Sequence, residues 1–359
     1  MLKNTRLASS AVLAFALASG SAFSADTLTA VKVAKTPQLT AGAADPAWAR
    51  AKPLKVALAG GQNFKDGKTD VTLKAVYTAD TLYLLVQYAD PTQSVRRMPF
   101  VKQADGSWQK LNDPDDKGGD NNKYYEDKLA IIWNVNHTIK GFGEQGCMVA
   151  CHAGEEGKPF GNKYLANAGE IGDIWHMKSI RTGYIGQADD QYLDNTRFDK
   201  DKAPEAGRKS DPKLAGGYND IKLVNGKPEF MHKSGLPVAT GKPVKVARTA
   251  KVALPQGPGY YLREEDKVAF DDAKFKPGDE VPSILVAPFT GDRGDIAANI
   301  RWNKGQWTVV LARKLVTEGK YDVQFADLKD KYEFGIAAFD NAQVRHAFHG
   351  GSLKLVFGN

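Results

Sequence analysis

The chain has 359 residues, a formal net charge of +7 at neutral pH and a hydrophobic content of 42%. Its basic and acidic residues are interspersed without a long basic run, so the charge pattern gives no indication of nucleic-acid binding. Only two cysteines are present, which excludes a disulfide-rich scaffold. The hydrophobic share is sufficient for a sizeable core in one large β domain or in two domains.

The N-terminus has the pattern of a secretory signal peptide. Lys3 and Arg6 precede an apolar run over residues 7–18, and small residues follow. A membrane anchor is the alternative, but the run is shorter than the roughly 20 residues that a membrane-spanning helix needs. We therefore expect residues 1–25 to be a signal peptide that directs export to the periplasm. The mature chain, residues 26–359, is expected to have no membrane span.

Periodic patterns predict strands along most of the chain. The first two, residues 71–77 and 81–88, form a predicted hairpin. Helical patterns are scarce, and residues 180–192 hold at most a short helix. Further strands are predicted, in chain order, at residues 129–135, 281–288, 307–312, 332–339 and 352–357. The sequence therefore predicts a mainly β fold in a single domain.

Two long stretches lack strand patterns. Residues 105–127 are rich in Asp, but their spacing does not match a calcium-binding EF-hand loop, which favours a solvated loop. Residues 141–235 contain many turn residues, both cysteines and three of the six histidines. Because a long irregular segment inside a domain is usually functional, we predict an insertion here that carries the functional site.

The central motif is Cys147-Met148-Val149-Ala150-Cys151-His152. Covalent haem attachment needs two thiols and a His directly after the second, usually as C-x-x-C-H; here a third residue separates the cysteines. A disulfide is the default for two cysteines in an oxidising compartment and stays open as an alternative. A structural zinc site is disfavoured because the chain has no further cysteines. The motif and the export signal together predict one covalently attached haem c with His152 as an iron ligand.

The chain resembles a known family over much of its length. The similar segments are residues 45–48 (Asp-Pro-Ala-Trp), 82–86 with Asp90, 126–133 (Glu-Asp-Lys-Leu-Ala-Ile-Ile-Trp), 146–152, 172–178 (Gly-Asp-Ile-Trp-His-Met-Lys), 338–341 and 345–349. They resemble the haem-binding subunits of ethylbenzene dehydrogenase and of the related dimethylsulfide, selenate and chlorate enzymes. The resemblance is greatest to the stand-alone c-type members of that family.

This resemblance implies a β-sandwich that holds a haem at one end, with the long irregular segment carrying the haem. The subunits of those enzymes bind haem b through Met and Lys, without thioether bonds. The present chain departs from that pattern at its Cys and His motif. Only the fold and the haem location therefore carry over from the family, and the iron ligands do not.

The second iron ligand is predicted to be His176, because it lies in the same long segment as His152 and beside a bulky aromatic residue. That residue, Trp175, is expected to form an apolar wall of the haem site. A structural histidine hydrogen-bonded to the backbone is the alternative interpretation of His176. The alternative iron ligands are Met177, His346 and His349.

Two arginines are candidate partners for the haem propionates. Arg181 follows the segment that contains His176, and Arg345 lies in the C-terminal segment similar to the family. Buried carboxylates need cationic or hydrogen-bonding partners, which a guanidinium supplies. A solvated surface position is the alternative for both side chains.

Together these features predict a periplasmic mono-haem c-type cytochrome that transfers electrons, alone or as the haem subunit of a redox complex with partner proteins. A haem enzyme or sensor with an open iron site is one alternative. A haem-free, ligand-binding β-sandwich with a Cys147–Cys151 disulfide is another. No catalytic residues are predicted, since the chain has no iron–sulfur motif and no dinucleotide-binding fingerprint.

Overall fold

The computed structural model describes residues 26–117, 119–152, 163–239 and 259–358, and strands pair throughout these ranges. The predicted signal peptide, residues 1–25, lies outside these described residues. Within them, no helix combines the length and the apolar character needed to cross a membrane. The predicted mainly β fold is confirmed.

The elements are short and are numbered here in chain order. The strands are β1 (Thr27–Lys32), β2 (Leu54–Leu58), β3 (Thr69–Tyr77), β4 (Thr81–Ala89), β5 (Phe100–Lys102), β6 (Trp108–Lys110), β7 (Lys128–Asn134), β8 (Gly172–Lys178), β9 (Asp189–Leu193), β10 (Arg208–Ser210), β11 (Ala215–Asp220), β12 (Leu223–Val224), β13 (Lys227–Pro228), β14 (Phe230–His232), β15 (Leu262–Arg263), β16 (Lys267–Ala269), β17 (Glu280–Val281), β18 (Ile284–Thr290), β19 (Ala297–Asn303), β20 (Gln306–Lys314), β21 (Tyr332–Phe339), β22 (Ala347–Phe348) and β23 (Leu353–Gly358). The α-helix is α1 (Phe142–Gln145), and the 3-10 helices are Leu39–Ala44, Pro46–Ala49, Lys65–Gly67, Val135–His137, Gly146–Val149, Gly183–Ile185, Glu264–Asp266, Asp272–Lys274 and Asp292–Gly294.

Thirteen strands form the main sheet. Its order is β10-β9-β8-β7-β21-β23-β1-β3-β4-β20-β19, with β2 paired to β3 and β22 paired to β21. β1 runs parallel to both of its neighbours, so the two ends of the described chain lie side by side, with Thr27 opposite Lys354. Four small sheets, β11-β18-β15, β12-β13, β14-β16 and β17-β5-β6, lie outside it.

The main sheet folds over on itself as a β-sandwich. Side chains from both halves share one core, in which Trp133 of β7 and Trp307 of β20 are fully buried. The Trp307 indole N–H donates a hydrogen bond of 3.2 Å to the carboxylate of Asp127, next to β7. A bridge between Gln187 and Ala297 also joins the turn before β9 to β19, near the opposite end of the strand order. Apolar side chains that point to one face are thereby removed from water on both sides of the core.

Most predicted strands lie close to their observed positions. The predicted hairpin is β3 and β4, with Tyr77 opposite Leu82. Predicted strand 281–288 is divided instead, because β17 pairs with β5 while β18 pairs with β11. Residues 180–192, which had a weak helical pattern, contain a 3-10 turn followed by β9, since pairing with β8 holds them extended.

An ion cluster lies inside the fold around Arg313 of β20, whose side chain is completely buried. Its guanidinium contacts the carboxylate of Asp322 at 2.8 Å and that of Asp173, on β8, at 3.8 Å. It also donates a hydrogen bond of 2.8 Å to the carbonyl of Val323. A buried charge costs free energy unless it is paired. The ion pairs of Arg313 therefore hold β20 against β8.

We predict that Arg313→Met lowers the free energy of unfolding by about 3–5 kcal/mol, since it leaves buried carboxylates without their cation. Urea-induced unfolding followed by fluorescence measures the change. Arg301→Met is the matched control, because Arg301 is exposed and such surface changes stay within about 0.5 kcal/mol. Equal stabilities for the two variants would contradict a structural role for the cluster.

Candidate functional site

Three neighbouring strands of the main sheet, β8, β7 and β21, bury both of their faces. Along β7, Leu129, Ile131 and Trp133 point into the main core, whereas Lys128 and Ile132 point to the other side and are also buried. Successive side chains of a strand alternate between its faces, so this second buried face requires a cover. The cover comes from residues 142–152 and from the C-terminal segment around β22.

Residues 142–152 form the covering loop. Phe142, Cys147 and Ala150 pack with Ile132 and with Ile174 of β8 in a separate apolar cluster. The turn closes where the amide of His152 donates to the carbonyl of Cys147 at 3.1 Å. Gly146 has a φ of +53°, and a Cβ there would lie 2.1 Å from the Gly351 carbonyl oxygen. The loop therefore contacts the C-terminal segment so closely that only glycine fits.

A cavity of about 330 Å³ lies between the loop and the strands. We call it the histidine cavity, because His152, His176 and His346 all line it. Its other lining residues are Lys128, Ala130, Ile132, Cys147, Cys151, Lys163, Ile174, Leu193, Arg208, Gly335, Ile336, Ala337, Phe339, Gln343, Val344 and Phe348. Apolar side chains predominate in this lining, as they do in most cofactor sites.

Two of the three imidazoles face each other. The Nδ1 of His346 lies 2.7 Å from the carbonyl oxygen of Val344, which can only accept, so Nδ1 carries the proton. The Nε2 of His346 is therefore an acceptor, and the Nε2–H of His152 donates to it at 3.1 Å. The His152 ring also stacks on Phe348, with ring centroids 3.9 Å apart. These contacts fix the tautomer and the orientation of both rings.

His176, on β8, presents a nitrogen that has no partner. Its Nδ1 lies 3.0 Å from the side-chain oxygen of Gln191, to which it donates a hydrogen bond. Its Nε2 is then deprotonated, and it is buried without a hydrogen-bond partner among the described residues. The cavity therefore contains an imidazole lone pair that is available to a ligand.

The environment keeps all three imidazoles neutral. Burial lowers the pKa of His152 and, together with the charges of Lys178 and Lys128, holds the pKa of His176 well below its ordinary value. Burial and the charge of His152 lower the pKa of His346 to about 3. With these lowered pKa values all three side chains are neutral at pH 7. Neutral imidazole is the form that binds metals.

The prediction of a covalently attached haem c is wrong. Three residues separate Cys147 from Cys151, so the chain has no C-x-x-C-H motif. Both thiols are free, and neither forms a disulfide. Burial raises the pKa of Cys147, and it raises the pKa of Cys151 to about 11. Both side chains are therefore protonated at neutral pH and act as small apolar groups in the lining of the cavity.

Strand alternation places other predicted site residues away from the cavity. Trp175 and Met177 flank His176 on β8 and point into the main core instead. The Trp175 indole donates a hydrogen bond of 3.1 Å to the carboxylate of Asp173. Because neighbours in a strand point to opposite faces, a cavity that His176 lines is out of reach of both side chains.

The predicted propionate partners also lie elsewhere. Arg181 is buried and forms an ion pair with Glu126. Arg345 contacts the carboxylate of Asp120 at 2.7 Å and lines a different, polar cavity. His349 forms a hydrogen bond of 3.1 Å with the carbonyl of Gly351, within its own turn. None of these three side chains lines the histidine cavity.

Several lining residues escaped the analysis of the sequence. Lys163 and Arg208 line the cavity and are partly exposed, and both lie near the carboxylate of Glu205. Phe339, at the end of β21, and Gly335 form part of its wall. The sequence did contain an indication of this second buried face. β7 and β21 are apolar on both faces, whereas a strand with one solvent-facing side alternates between apolar and polar residues.

Comparisons with known proteins give a family match and similar solved structures. A family model described as ethylbenzene dehydrogenase matches residues 45–351. Two similar solved structures are of a family 9 carbohydrate-binding module from Caldicellulosiruptor kristjanssonii, in complex with cellotriose and with glucose. Each is 8% identical and covers 93% of this chain; the matches span 95% and 97% of the modules, with TM-scores of 0.33 and 0.32. A search of curated proteins found no match.

We predict that Gly335→Ala lowers the free energy of unfolding by about 1–3 kcal/mol, because the added Cβ would lie 2.2 Å from the Cys147 sulfur. Cys147→Ala in the same chain should restore part of this loss, since the sulfur is then absent. A double-mutant cycle by urea unfolding measures the coupling. Gly350→Ala is the control, because nothing lies within 4 Å of its Cβ position. Additive effects of the two core changes would contradict the contact.

Proposed function

Because the chain belongs to the ethylbenzene dehydrogenase family, we propose that it binds one haem in the histidine cavity, without thioether bonds, and transfers electrons. The observation that carries the proposal is the buried, unpartnered Nε2 of His176. A polar atom left unpaired in an apolar site costs free energy, and coordination to iron would satisfy its lone pair. Histidine is a common axial ligand of haem iron.

The lining of the cavity suits the chemistry of a haem. Its apolar walls, which include Phe339 and Phe348, match an apolar macrocycle. Lys163 and Arg208, which also line the cavity, are cationic partners for propionate carboxylates. Gly335 lets the Cys147 sulfur lie against the wall of the cavity, since a Cβ at Gly335 would be 2.2 Å from that sulfur. These features replace the roles that the sequence suggested for Trp175, Arg181 and Arg345.

His176 would hold the haem iron through its unpartnered Nε2, and the pair His152–His346 would supply a second nitrogen ligand. The Nε2 atoms of His152 and His346 are joined by a hydrogen bond of 3.1 Å. This hydrogen bond would let one imidazole orient the other.

A bound haem supplies one-electron chemistry at its iron. The role of the protein is then to fix two nitrogen ligands, to exclude water with apolar walls and to hold the imidazoles neutral. We propose that the chain works in the periplasm with redox partner proteins, alone or as the haem subunit of a complex. The signal-peptide pattern of residues 1–25 supports export.

Titration of the purified, haem-free chain with haemin tests this proposal. The wild type should bind one haem and give a low-spin spectrum, because two imidazoles ligate the iron. His176→Ala should give a high-spin spectrum and bind at least about tenfold more weakly, as expected when a ligand shell is disrupted. His349→Ala is the matched control, since His349 does not line the cavity, and should behave as the wild type does.

Extraction with acidified acetone tests the mode of attachment. Haem should leave the wild type completely, and Cys151→Ser should bind haem as the wild type does, because the thiols form no bond to it. Absence of haem binding by the wild type, or an unchanged spectrum for His176→Ala, would overturn the proposal. A high-spin wild-type spectrum would favour the haem enzyme or sensor with an open iron site.

A further inference from the structure

A second cavity, of about 510 Å³, is lined mainly by polar and charged residues. The Asp-rich segment of residues 105–127 contributes Asp113 and Asp120 to its wall. The loop after β4 contributes Thr92 and Ser94, and the end of β21 contributes Asp340. The Asp-rich segment, which the sequence analysis predicted to be a solvated loop, therefore contributes carboxylate side chains to the wall of the polar cavity.

Three carboxylates meet next to this cavity. Asp90 and Asp127 are completely buried, and Asp340 is 4% exposed. One oxygen from each lies within 4.8 Å of the others. Like charges this close repel one another strongly in a medium of low dielectric constant. The arrangement persists at neutral pH only if protons or a cation reduce the charge.

Two hydroxyl groups complete a cluster made of oxygen atoms. The Thr92 hydroxyl lies 3.3 Å from the Asp90 carboxylate and 3.1 Å from that of Asp340. The Ser94 hydroxyl lies 3.4 Å from the Asp340 carboxylate. Carboxylates and neutral oxygens together are the ligands that calcium takes in proteins.

Not every carboxylate oxygen of this cluster is hydrogen-bonded. The second carboxylate oxygen of Asp90 is buried and has no hydrogen-bond partner among the described residues. The hydroxyl of Tyr88, which is also fully buried, has none either. Neither Asp90 nor Asp127 forms a salt bridge with a described Lys or Arg within 4.0 Å. Burial and the charge of Asp127 raise the pKa of Asp90 well above its ordinary value.

The other buried carboxylate cluster also contains oxygens without a hydrogen-bond partner among the described residues, but a cation lies beside it. Asp173, Asp190 and Asp322 also approach one another within 4.8 Å, but Arg313 lies beside them and contacts Asp322 at 2.8 Å. A guanidinium therefore supplies the positive charge there. Around Asp90 and Asp127, no arginine or lysine of the described chain makes that contact, although an open polar cavity adjoins the cluster.

We propose that Asp90, Asp127 and Asp340, with the hydroxyls of Thr92 and Ser94, bind one calcium ion that enters from the polar cavity. Calcium accepts six to eight oxygen ligands in flexible geometry, so water in the cavity can complete its shell. Magnesium requires a near-ideal octahedron and keeps several of its own waters, which favours calcium in a cluster enclosed this deeply. The site is independent of the haem proposal and connects β4, β7 and β21.

Metal analysis of the full chain provides the first test. The purified, haem-free protein is stripped with a chelator and dialysed to equilibrium against calcium chloride. One calcium ion per chain is expected, together with a rise in the thermal midpoint of unfolding, because an ion that binds only the folded state stabilises it. Absence of bound calcium in the wild type would overturn the proposal whatever the variants do.

Variants locate the ion. Asp90→Asn should weaken calcium binding at least about tenfold, since it removes one of three charges at short range. Asp190→Asn is the matched control, because it makes the same change in the cluster that has Arg313 beside it. Asp115→Asn is a second control, since Asp115 lines the polar cavity but its side chain is 82% exposed. Both controls should bind calcium as the wild type does.

Circular dichroism checks that each variant folds. If Asp90→Asn does not fold, Thr92→Val replaces it, because it removes an uncharged oxygen from the same cluster and should also weaken binding. Wild-type affinity in Asp90→Asn, or in Thr92→Val where that variant replaces it, would overturn the assignment. Loss of binding in Asp115→Asn would move the ion to the exposed Asp-rich segment and would equally overturn it.

Discussion

The structure depends on the burial of both faces of β8, β7 and β21. One face of these strands completes the core of the sandwich, and the other forms the wall of the histidine cavity. A sheet with a second apolar face must cover it to keep it from water. The loop of residues 142–152 supplies that cover and brings His152 with it. The same packing that protects the sheet thus also builds the candidate site.

Buried charges make a second set of constraints between the layers. Asp127, at the start of β7, accepts hydrogen bonds from the amides of Ser94 and Asn341 and from the Trp307 indole. Asp127 therefore connects separate parts of the chain by hydrogen bonds and is also a member of the carboxylate cluster. Arg313 pairs with Asp173, which lies opposite Trp133 near the other end of β7, and supplies a positive charge there. In one cluster a guanidinium lies beside the buried carboxylates; in the other we propose that a calcium ion does.

The Cys and His motif shows that a pattern of neighbouring residues does not by itself define a binding site. The two cysteines and the His directly after them suggested attachment of haem, and the structure places both thiols, protonated, in an apolar lining. His152 and His176, however, do line the same cavity, although they come from different elements. His346 joins them from the C-terminal segment, 3.1 Å from His152. Only the pairing of β21 with β7 and β22 brings that segment near the covering loop.

The sequence by itself determined the local elements, because alternation and β-branched residues are properties of neighbouring positions. It predicted the hairpin of β3 and β4, the strand β21 and a family resemblance that the matched family supports. Tertiary structure decided the rest. Which face of β8 carries Trp175 and which carries His176 depends on where the core lies. The convergence of Asp90, Asp127 and Asp340 depends on pairings between distant strands, and no local pattern encodes such distances.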